Sequence, residues 1–261
     1  MLEGDDSALS CHEREVLRAA AVAAIEISTT RADLRATWRE LTQGTCRVLD
    51  AYFHRDQCYL LLLPQARQRG MAVSGRRLEI VESVLRGTRQ KAIAIDLAVT
   101  PSTVAIESRQ ALKCLGTDTR PSRAHPLLML AVRAAGEPTS VLARSATLAV
   151  RDLEVRVMAT QRPEGALTGR MPSAELAVVR GLVEGLSYDE LAHQRGTSRR
   201  TVANQISAAF RRLNVSGRNE LVQVLFAGES PKVELPKVER RSLRDELRSV
   251  ISRQQSVAGN A

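Results

Sequence analysis

The chain has 261 residues, of which 44% are hydrophobic and 26% charged, a composition typical of a globular protein with about two small domains. Lysine and arginine exceed aspartate and glutamate by 38 − 29 = 9, which favours a polyanionic partner, nucleic acid first. Aromatic residues make up only 3%, which argues against a single-strand binder that stacks bases on aromatic rings. The longest apolar stretches, 19–25 and 59–64, are far shorter than the roughly 20 residues of a membrane span, so we expect no membrane association.

Cysteine usage and the first residues narrow the class of protein further. No CxxC pair occurs, and the histidines show no metal-ligand spacing with the four cysteines, Cys11, Cys46, Cys58 and Cys114. This pattern argues against a zinc knuckle or a disulfide framework and favours a reduced cytosolic environment. The chain starts with acidic residues where a secretory signal would be basic. We expect a cytoplasmic protein with no metal or cofactor, and no enzyme, since no serine has the glycine setting of a nucleophile elbow.

Two helices are predicted at the start of the chain. Residues 10–27 have charged side chains spaced among apolar ones as in a helix. A second helix has Thr30 as its expected N-cap and runs to about Leu41, before Gly44. We expect these helices to form an N-terminal segment over residues 1–43.

A β-hairpin is predicted directly after these helices. Residues 46–53 and 58–63 are rich in aliphatic, aromatic and β-branched side chains, and four polar residues separate them. With the turn in the middle of that spacer, Cys58 falls opposite Phe53 and not opposite Cys46, which argues against a disulfide between the strands. The hairpin carries more apolar surface than an isolated two-stranded ribbon can cover, so we expect it to take part in folding and dimerisation.

A first helical block follows the hairpin. Residues 75–115 have helical spacing that is broken at Gly87 and at Thr100-Pro101. A further helical element precedes the breaker at 136–139, which is the best interior domain boundary. This region therefore predicts one domain over residues 44–136.

A second hairpin and a second helical block follow that boundary. Residues 145–150 and 154–159 alternate around a short polar turn, which predicts the hairpin. Helical spacing then resumes over 172–226. The expected domain covers residues 139–228, with a core at 171–226, and a linker with a charged helix is expected over 229–261.

The chain contains an internal repeat. Gly87 and Gly185 are 185 − 87 = 98 residues apart, and the same shift aligns the two helical blocks without a gap and superimposes the two hairpins. Identical pairs at this offset include Leu78/Leu176, Val81/Val179, Ala94/Ala192, Thr103/Thr201, Val104/Val202, Ala105/Ala203, Ala111/Ala209 and Leu115/Leu213. The first copy carries a few extra residues between Gly116 and His125. We therefore predict a mainly helical α+β protein of two tandem units, each a β-hairpin followed by a helical module.

A helix-turn-helix is predicted in the second helical block. Ser187 can cap a short helix whose apolar face includes Leu191 and Ala192, and Gly196 lies where the chain must turn with a positive φ. Ser198 can cap a second helix. Apolar residues then recur at i, i+4, i+7 and i+8 along that helix, at Val202, Ile206, Ala209 and Phe210. A short helix, a glycine turn and a second capped helix define a helix-turn-helix.

The outward face of the second helix favours contact with DNA. If the apolar stripe faces the core, the residues that must face outward are Arg199, Arg200, Thr201, Ala203, Asn204 and Ser207. Residues 195–219 include several arginines and no acidic residue. A helix N-terminus beside arginines suits a phosphate backbone. Asn204 is a candidate to read an adenine edge, because its amide can both donate and accept a hydrogen bond.

Residues 171–225 resemble the LuxR/GerE-type DNA-binding domain, a four-helix module. The matching residues are Glu175, Val179, Glu184-Gly185-Leu186-Ser187, Glu190-Leu191-Ala192, Gly196, Ser198, Arg200-Thr201-Val202, Asn204, Arg212-Leu213, Val215-Ser216, Arg218 and Glu220-Leu221-Val222. The sequence departs from the family pattern at three places. Pro172-Ser173 stands where Thr-Pro is usual, Ala203 where lysine is common, and Asn214 where glycine is usual.

The resemblance implies that the third helix of the module enters the major groove and that the fourth mediates dimerisation. The residues expected to face bases are Ala203, Asn204 and Ser207. Those expected to face phosphates are Arg200, Thr201 and Arg211. The full set expected to bind DNA is Ser198, Arg199, Arg200, Thr201, Ala203, Asn204, Ser207, Arg211, Arg212 and Arg218. Double-stranded DNA is the expected partner, a homodimer the expected assembly, and RNA polymerase a further expected partner.

The first copy resembles the same module more faintly. The fit covers Arg86-Gly87 and residues 92–94, 97–104 and 111–116. Its expected outward face carries Ile106 and Glu107, and a carboxylate aimed at phosphates is unfavourable. We therefore expect residues up to about Gly136 to fold and dimerise, and residues 139–226 to carry the DNA contact.

Three functions remain open at this point. The resemblance favours a sequence-specific transcriptional regulator that binds double-stranded DNA. A sigma-factor-like promoter-recognition protein is an alternative, because sigma factors use a similar helix-turn-helix, although no polymerase-binding helical region lies upstream. The third function is a protein-interaction module without DNA readout. Ile106 and Glu107 favour that function for the first copy, whereas Arg199, Arg200 and Asn204 argue against it for the second.

Overall fold

Two helical blocks alternate with two β-hairpins along the chain. The computed structural model describes residues 10–66, 71–137, 141–150 and 153–227, which belong to one structural unit. The expected linker and charged helix at 229–261 lie outside the described residues. The elements are α1 (Cys11–Ile27), α2 (Leu34–Gln43), β1 (Cys46–His54), β2 (Gln57–Pro64), α3 (Arg76–Leu85), α4 (Gln90–Asp96), α5 (Pro101–Cys114), α6 (Pro126–Gly136), β3 (Arg144–Val150), β4 (Leu153–Gln161), α7 (Ser173–Val183), α8 (Tyr188–Gln194), α9 (Arg199–Leu213) and α10 (Arg218–Ala227). The fold is therefore α+β and mainly helical, as predicted.

Helix α2 begins later than the sequence predicts. Its N-cap is Asp33, whose side chain accepts the N–H of Ala36 at 2.8 Å. Thr30, the expected cap, is instead part of an extended segment beside β3, where its carbonyl accepts the N–H of Ser145 at 2.9 Å. Because the Thr30 carbonyl accepts from Ser145 and the helix begins only at Leu34, the prediction of Thr30 as the cap was wrong.

The two hairpins form one antiparallel sheet with the strand order β1-β2-β4-β3. Within the first hairpin Phe53 lies opposite Cys58, which confirms the predicted register. Across the middle of the sheet β2 pairs with β4, and Leu60 lies opposite Met158. The sequence led us to expect a separate hairpin in each of two tandem units. The hairpins instead share a sheet, because pairing with β4 makes β2 a central strand and covers its apolar run.

The sheet is covered on both faces. On one face α1 places Leu17, Ala21 and Ile25 against Tyr52 and Tyr59. On the other face α2 and α6 pack against inward-facing residues of β1, β2 and β4. The apolar run in β2 is therefore buried from both sides, as is usual for a central strand.

Helix α6 joins the sheet to the second helical block. Residues 126–132 are all buried, and the helix packs against α2, α3, α10 and β2. The Nη1 atom of Arg133 donates to the carbonyl of Gln223 in α10 at 3.2 Å. A helix that is apolar all round is stable only when it is enclosed on every side. One hydrophobic core therefore extends from the sheet through α6 to α7, α9 and α10.

Candidate nucleic-acid interface

The first helix of the predicted helix-turn-helix is α8, and Ser187 caps it as expected. The Ser187 side chain accepts the N–H of Glu190 at 3.2 Å, and the Glu190 carboxylate accepts the N–H of Ser187 at 2.7 Å. These reciprocal bonds, together with Arg123, lower the pKa of Glu190 to about 2. The start of α8 is thus fixed by an ionised carboxylate at its N-terminus, where the helix dipole favours negative charge.

The turn and the second helix also follow the predicted geometry. Gly196 has a φ of 58°, a left-handed conformation that glycine adopts without a steric cost. Ser198 caps α9 by accepting the N–H of Thr201 at 3.1 Å. Helix α9 ends at Asn214, which has a φ of 52°. Asparagine tolerates this conformation, so its replacement of the usual glycine leaves the helix end intact.

One side of α9 is packed against the rest of the module. Val202, Ile206 and Ala209 are at most 1% exposed, and Phe210 is partly buried against the same core. The helix packs on both α7 and α8. The predicted apolar stripe is confirmed, and its position fixes which residues of α9 face outward.

The outward side of α9 carries most of the residues that the sequence assigns to DNA. The exposed ones are Ser198, Arg199, Arg200, Thr201, Asn204, Ser207, Arg211 and Arg212. Ala203 is partly buried. Four of the exposed residues recur at i, i+4, i+7 and i+11 and so form one line along the helix. We call this line the α9 stripe; its members are Arg200, Asn204, Ser207 and Arg211.

The arginines around the α9 stripe differ in their partners. Arg199 lies 3.5 Å from Asp189 in an exposed pair, and the Nε atom of Arg212 donates to Glu175 at 3.1 Å. Among the described residues no carboxylate forms a salt bridge with Arg200 or Arg211. Arg200 and Arg211 at the two ends of the stripe therefore keep their charge available for an anionic partner.

Arg218 is placed differently from the other residues of the expected set. Its Nη2 atom donates to the carbonyls of Val183 and Ala124, each at 2.9 Å, and its Nε atom donates to the carbonyl of Leu182. Burial lowers the pKa of Arg218 to about 10. The guanidinium thus ties the start of α10 to the end of α7 and does not lie on the exposed face of α9.

Two contacts of the module were not foreseen from the sequence. Arg195 donates through Nη1 to the side-chain oxygen of Gln205 at 2.9 Å and to the carbonyl of Ala174 at 3.1 Å, which directs Gln205 away from the α9 stripe. Arg123, from the short 3₁₀ helix before α6, forms a salt bridge with Glu190 in α8. The second pair joins residues far apart in the chain, and no local pattern could have indicated it.

In the first helical block Glu107, which was expected to face outward, is only partly exposed because its side chain is bound to α3. The Nε atom of Arg77 in α3 donates to the Glu107 carboxylate at 2.6 Å, and its Nη2 atom donates to Gln110 at 2.8 Å. The carboxylate is pulled toward α3 and only 28% of its side chain is exposed. Ile106, by contrast, is 52% exposed, as expected. The carboxylate therefore does not lie on the outer line of α5.

In the part of the chain that the structure describes, no group of three or more histidine, cysteine or acidic side chains is placed to hold a metal ion. No disulfide forms among the described cysteines, which are Cys11, Cys46, Cys58 and Cys114. None of the described helices combines the length and apolar character needed to cross a lipid bilayer.

These observations define a helix-turn-helix domain formed by α7 to α10. Residues 171–225 match the family model GerE, described as bacterial regulatory proteins, luxR family. This segment is therefore a LuxR-type helix-turn-helix domain, and the match indicates the class of DNA-binding transcription regulators. No curated protein and no solved structure matched the chain significantly.

Proposed function

We propose that this chain is a sequence-specific transcriptional regulator that binds double-stranded DNA through α9. The observation that carries the proposal is the α9 stripe in a LuxR-type domain: an exposed line in which two arginines, with no salt bridge to any described residue, flank Asn204 and Ser207. Asn204 reads a base edge, with Ser207 and Ala203 beside it. Such a regulator works in the cytoplasm, where it meets the chromosome, and needs neither a cofactor nor a catalytic group.

The remaining residues of the expected set divide into phosphate and structural roles. Those that bind phosphates are Arg199, Arg200, Thr201, Arg211 and Arg212, with Ser198 as the cap that orients the first turn. Each arginine that displaces counterions adds to a sequence-independent affinity. Arg218 positions α10 against α7 and makes no DNA contact. Contact with RNA polymerase stays a prediction.

We further propose that α3 to α6 is a second, divergent copy of the LuxR-type module. The left-handed backbone positions support it, because each one in the second block lies 98 residues after one in the first. The three pairs are Gly87/Gly185 with φ 91° and 85°, Ala98/Gly196 with φ 51° and 58°, and Gly116/Asn214 with φ 79° and 52°. The caps agree as well, since Thr100 accepts the N–H of Thr103 at 3.1 Å, as Ser198 does at the start of α9.

The central strands support the same repeat independently. Leu60 and Met158 lie opposite each other in the antiparallel pair of β2 and β4, and 158 − 60 = 98, the offset of the repeat. An antiparallel pair has a local two-fold axis at such a position. Rotation about that axis exchanges each residue of β2 with the one 98 positions later in β4. The sheet register and the helical blocks therefore agree on one pseudo-two-fold relation.

The two copies are also joined at their fourth helices. A Cβ atom at Gly87 would lie 3.3 Å from the backbone nitrogen of Glu220, and one at Gly185 would lie 3.0 Å from the Cα of Arg123. The glycine of each copy thus lies close to the start of the other copy's fourth helix. The two fourth helices, α6 and α10, also pack against each other. Leu221 and Val222 of α10 are fully buried. We propose that one chain supplies the pair of modules, so that a homodimer through α10 is not required.

Binding of purified protein to duplex DNA at increasing salt tests the proposed function. With about four to six phosphate contacts, the slope of log affinity against log salt is expected to be on the order of −4 to −6. Asn204→Ala relaxes the preference at one base pair, at a cost of roughly 1–3 kcal/mol on the best site. Arg200→Ala is the matched control, because it weakens all sequences about equally. A flat salt response, or a sequence preference that survives Asn204→Ala unchanged, contradicts the proposal.

A further inference from the structure

We propose that α5 is a second DNA-reading helix, so that one chain contacts two unlike stretches of the same duplex. The proposal rests on the proposed function of α9 and goes beyond it, because the family match ends at residues 171–225 and leaves α5 without a ligand. It also reverses the expectation that the first copy only folds and dimerises.

The exposed line of α5 occupies the same positions as the α9 stripe. We call it the α5 stripe; its members are Ser102, Ile106, Arg109 and Lys113, and all four are exposed. Each lies 98 residues before a member of the α9 stripe: Arg200, Asn204, Ser207 and Arg211. The buried side of α5 matches as well, since Val104 and Ala111 correspond to Val202 and Ala209 and all are at most 1% exposed. The two helices therefore turn equivalent faces outward.

The single carboxylate of α5 does not disturb this face. Glu107 corresponds to Gln205, and an arginine holds each of them off the stripe: Arg77 binds Glu107, and Arg195 binds Gln205. The Arg77–Glu107 pair is internally neutral, so it adds no repulsion toward phosphates. With Glu107 paired, the charges left on the stripe are those of Arg109 and Lys113.

The side chains of the α5 stripe suit a different base sequence from those of α9. A guanidinium such as that of Arg109 makes two hydrogen bonds to the O6 and N7 atoms of guanine, and an aliphatic group such as that of Ile106 packs on the methyl group of thymine. Lys113 and Ser102 are positioned at the ends of the line to contact phosphates, as Arg211 and Arg200 are on α9. We infer a half-site with guanine and thymine for α5, and a half-site with adenine for α9.

The pseudo-two-fold axis brings both stripes to the same end of the molecule. A two-fold rotation does not change the position of any atom measured parallel to the rotation axis. We infer that the axis relating Leu60 to Met158 also relates the two helical blocks, because the blocks share the offset of 98 residues and because Gly87 and Gly185 each approach the region at the start of the opposite fourth helix. If α9 faces DNA at one end of this axis, α5 faces the same way, as the recognition helices of a symmetric dimer do.

Selection of bound sequences from random duplex DNA by the full chain tests the proposal. The wild-type protein is expected to select two unlike half-sites. Arg109→Ala lowers discrimination at one G·C pair by about 5- to 150-fold, the range for loss of a bidentate contact. Ile106→Ala lowers discrimination at a T·A pair of the same half-site by about fourfold, the value of one apolar contact group. Arg39→Ala on α2, which removes an equal charge from an exposed position elsewhere, leaves both half-sites unchanged.

The outcomes separate the two proposals. If Asn204→Ala relaxes one half-site while Arg109→Ala and Ile106→Ala change nothing, α9 binds DNA and the proposal for α5 is overturned. Selection of a single half-site, or of two identical ones, overturns it as well; the exposed Ile95 and Ile106 would then mark a protein contact instead. If neither Asn204→Ala nor Arg109→Ala alters selection, the proposed function itself fails. All four variants change exposed side chains, and an unchanged thermal unfolding midpoint shows that each remains folded.

Discussion

Two segments of this chain, α3 to α6 and the LuxR-type domain α7 to α10, have left-handed backbone positions at matching sequence offsets and different surfaces. Helix α8 begins with a capping box between Ser187 and Glu190, whereas Arg89 at the start of α4 makes no capping bond with its side chain. Buried positions agree at the offset of 98 residues, but exposed ones diverge, as Ile106 and Asn204 do. The comparison teaches that similar buried residues give the two segments similar backbones. Their different exposed residues determine what each segment can bind.

The fourth helices show the largest difference between the two segments. Residues 126–132 of α6 are all buried among the sheet, α2, α3 and α10, whereas of the described positions in α10 only Leu221 and Val222 are buried. The connection from α5 to α6 covers residues 115–125, against only 214–217 between α9 and α10. The longer connection of the first segment allows α6 to reach the centre of the molecule. The first segment therefore supports the second, and its loss is expected to affect both.

The largest predicted effect is a loss of stability when a buried side chain of α6 is truncated. Leu128 is fully buried, so Leu128→Ala is expected to lower the free energy of unfolding by about 4 kcal/mol, within the usual range for buried leucines. Because α6 belongs to the core of both segments, both should unfold in one transition in chemical denaturation. Leu142→Ala, at a site that is 63% exposed, is the matched control and should cost less than about 0.5 kcal/mol. Two separate unfolding transitions would show that the two segments do not share one core.

The next effect is a pH dependence that belongs to the first segment. His125 caps α6 by accepting the N–H of Leu127, and burial lowers its pKa to about 3. The residue at the matching place before α10 is Gly217, which has no side chain to titrate. Between pH 6.5 and pH 3 the unfolded chain binds a proton that the folded chain excludes, so stability falls as the pH falls through this window. The loss due to His125 between pH 6.5 and pH 4 is about 3 kcal/mol.

Replacement of His125 isolates this contribution. His125→Asn replaces the accepting ring nitrogen Nδ1 with an amide oxygen that can also cap the helix, and it removes the titrating group. Urea unfolding of the two proteins at pH 6.5 and pH 4 should therefore show a smaller acid loss for the variant, by about 3 kcal/mol. Equal losses for the two proteins would show that His125 is not the group responsible.

A third effect distinguishes a structural role from a DNA contact for two arginines, Arg218 and Arg211, that the sequence analysis both assigned to DNA binding. Arg218→Met leaves buried carbonyls without their donor and is expected to cost about 2 kcal/mol of stability. Arg211→Ala removes an exposed guanidinium and should leave stability unchanged while it weakens DNA binding. Thermal unfolding and a binding titration of both variants measure the difference. If Arg218→Met leaves stability unchanged and weakens binding as Arg211→Ala does, Arg218 belongs to the DNA contacts.

The smallest effect is local and concerns the cap of α8. The pKa of Glu190 is lowered to about 2, so its contribution is present above pH 4.5 and is lost as the pH falls toward 2. We expect amide hydrogen exchange in the first turn of α8 to increase below about pH 4, relative to the rest of the protein. Glu190→Ala, which removes the acceptor for the Ser187 N–H, should show the increase at neutral pH. Helix α4 has no such cap and serves as the internal control. Equal responses of α4 and α8 would contradict this assignment.

Local patterns in the sequence predicted the elements of the LuxR-type domain and the register of the first hairpin well. Ser187 and Ser198 cap their helices as expected, Gly196 and Asn214 adopt the expected conformations, and Cys58 pairs with Phe53. Each of these features depends on residues within a few positions of one another. Such short-range rules of capping, turn formation and hairpin register can be applied to a single sequence.

Long-range contacts could not be predicted in the same way. The pairing of β2 with β4 joins strands about 100 residues apart, and the uninterrupted apolar run at 60–62 was its one signal, because a strand buried on both faces does not alternate. The burial of Arg218 depends on the carbonyl of Ala124, which comes from the other segment. The neutralisation of Glu107 depends on Arg77 in another helix. In the sequence Arg218 and Glu107 both look like exposed surface residues. Only their tertiary contacts show that each one is paired within the protein.

The salt dependence of DNA binding by a matched pair of variants tests most directly whether both segments contact DNA. Lys113 and Arg211 occupy equivalent ends of the α5 and α9 stripes and are both exposed. If each contacts a phosphate, Lys113→Ala and Arg211→Ala each make the slope of log affinity against log salt shallower by about 1, and the double variant by about 2. A slope that changes with Arg211→Ala and not with Lys113→Ala would contradict the account, since α5 would then lie away from the duplex.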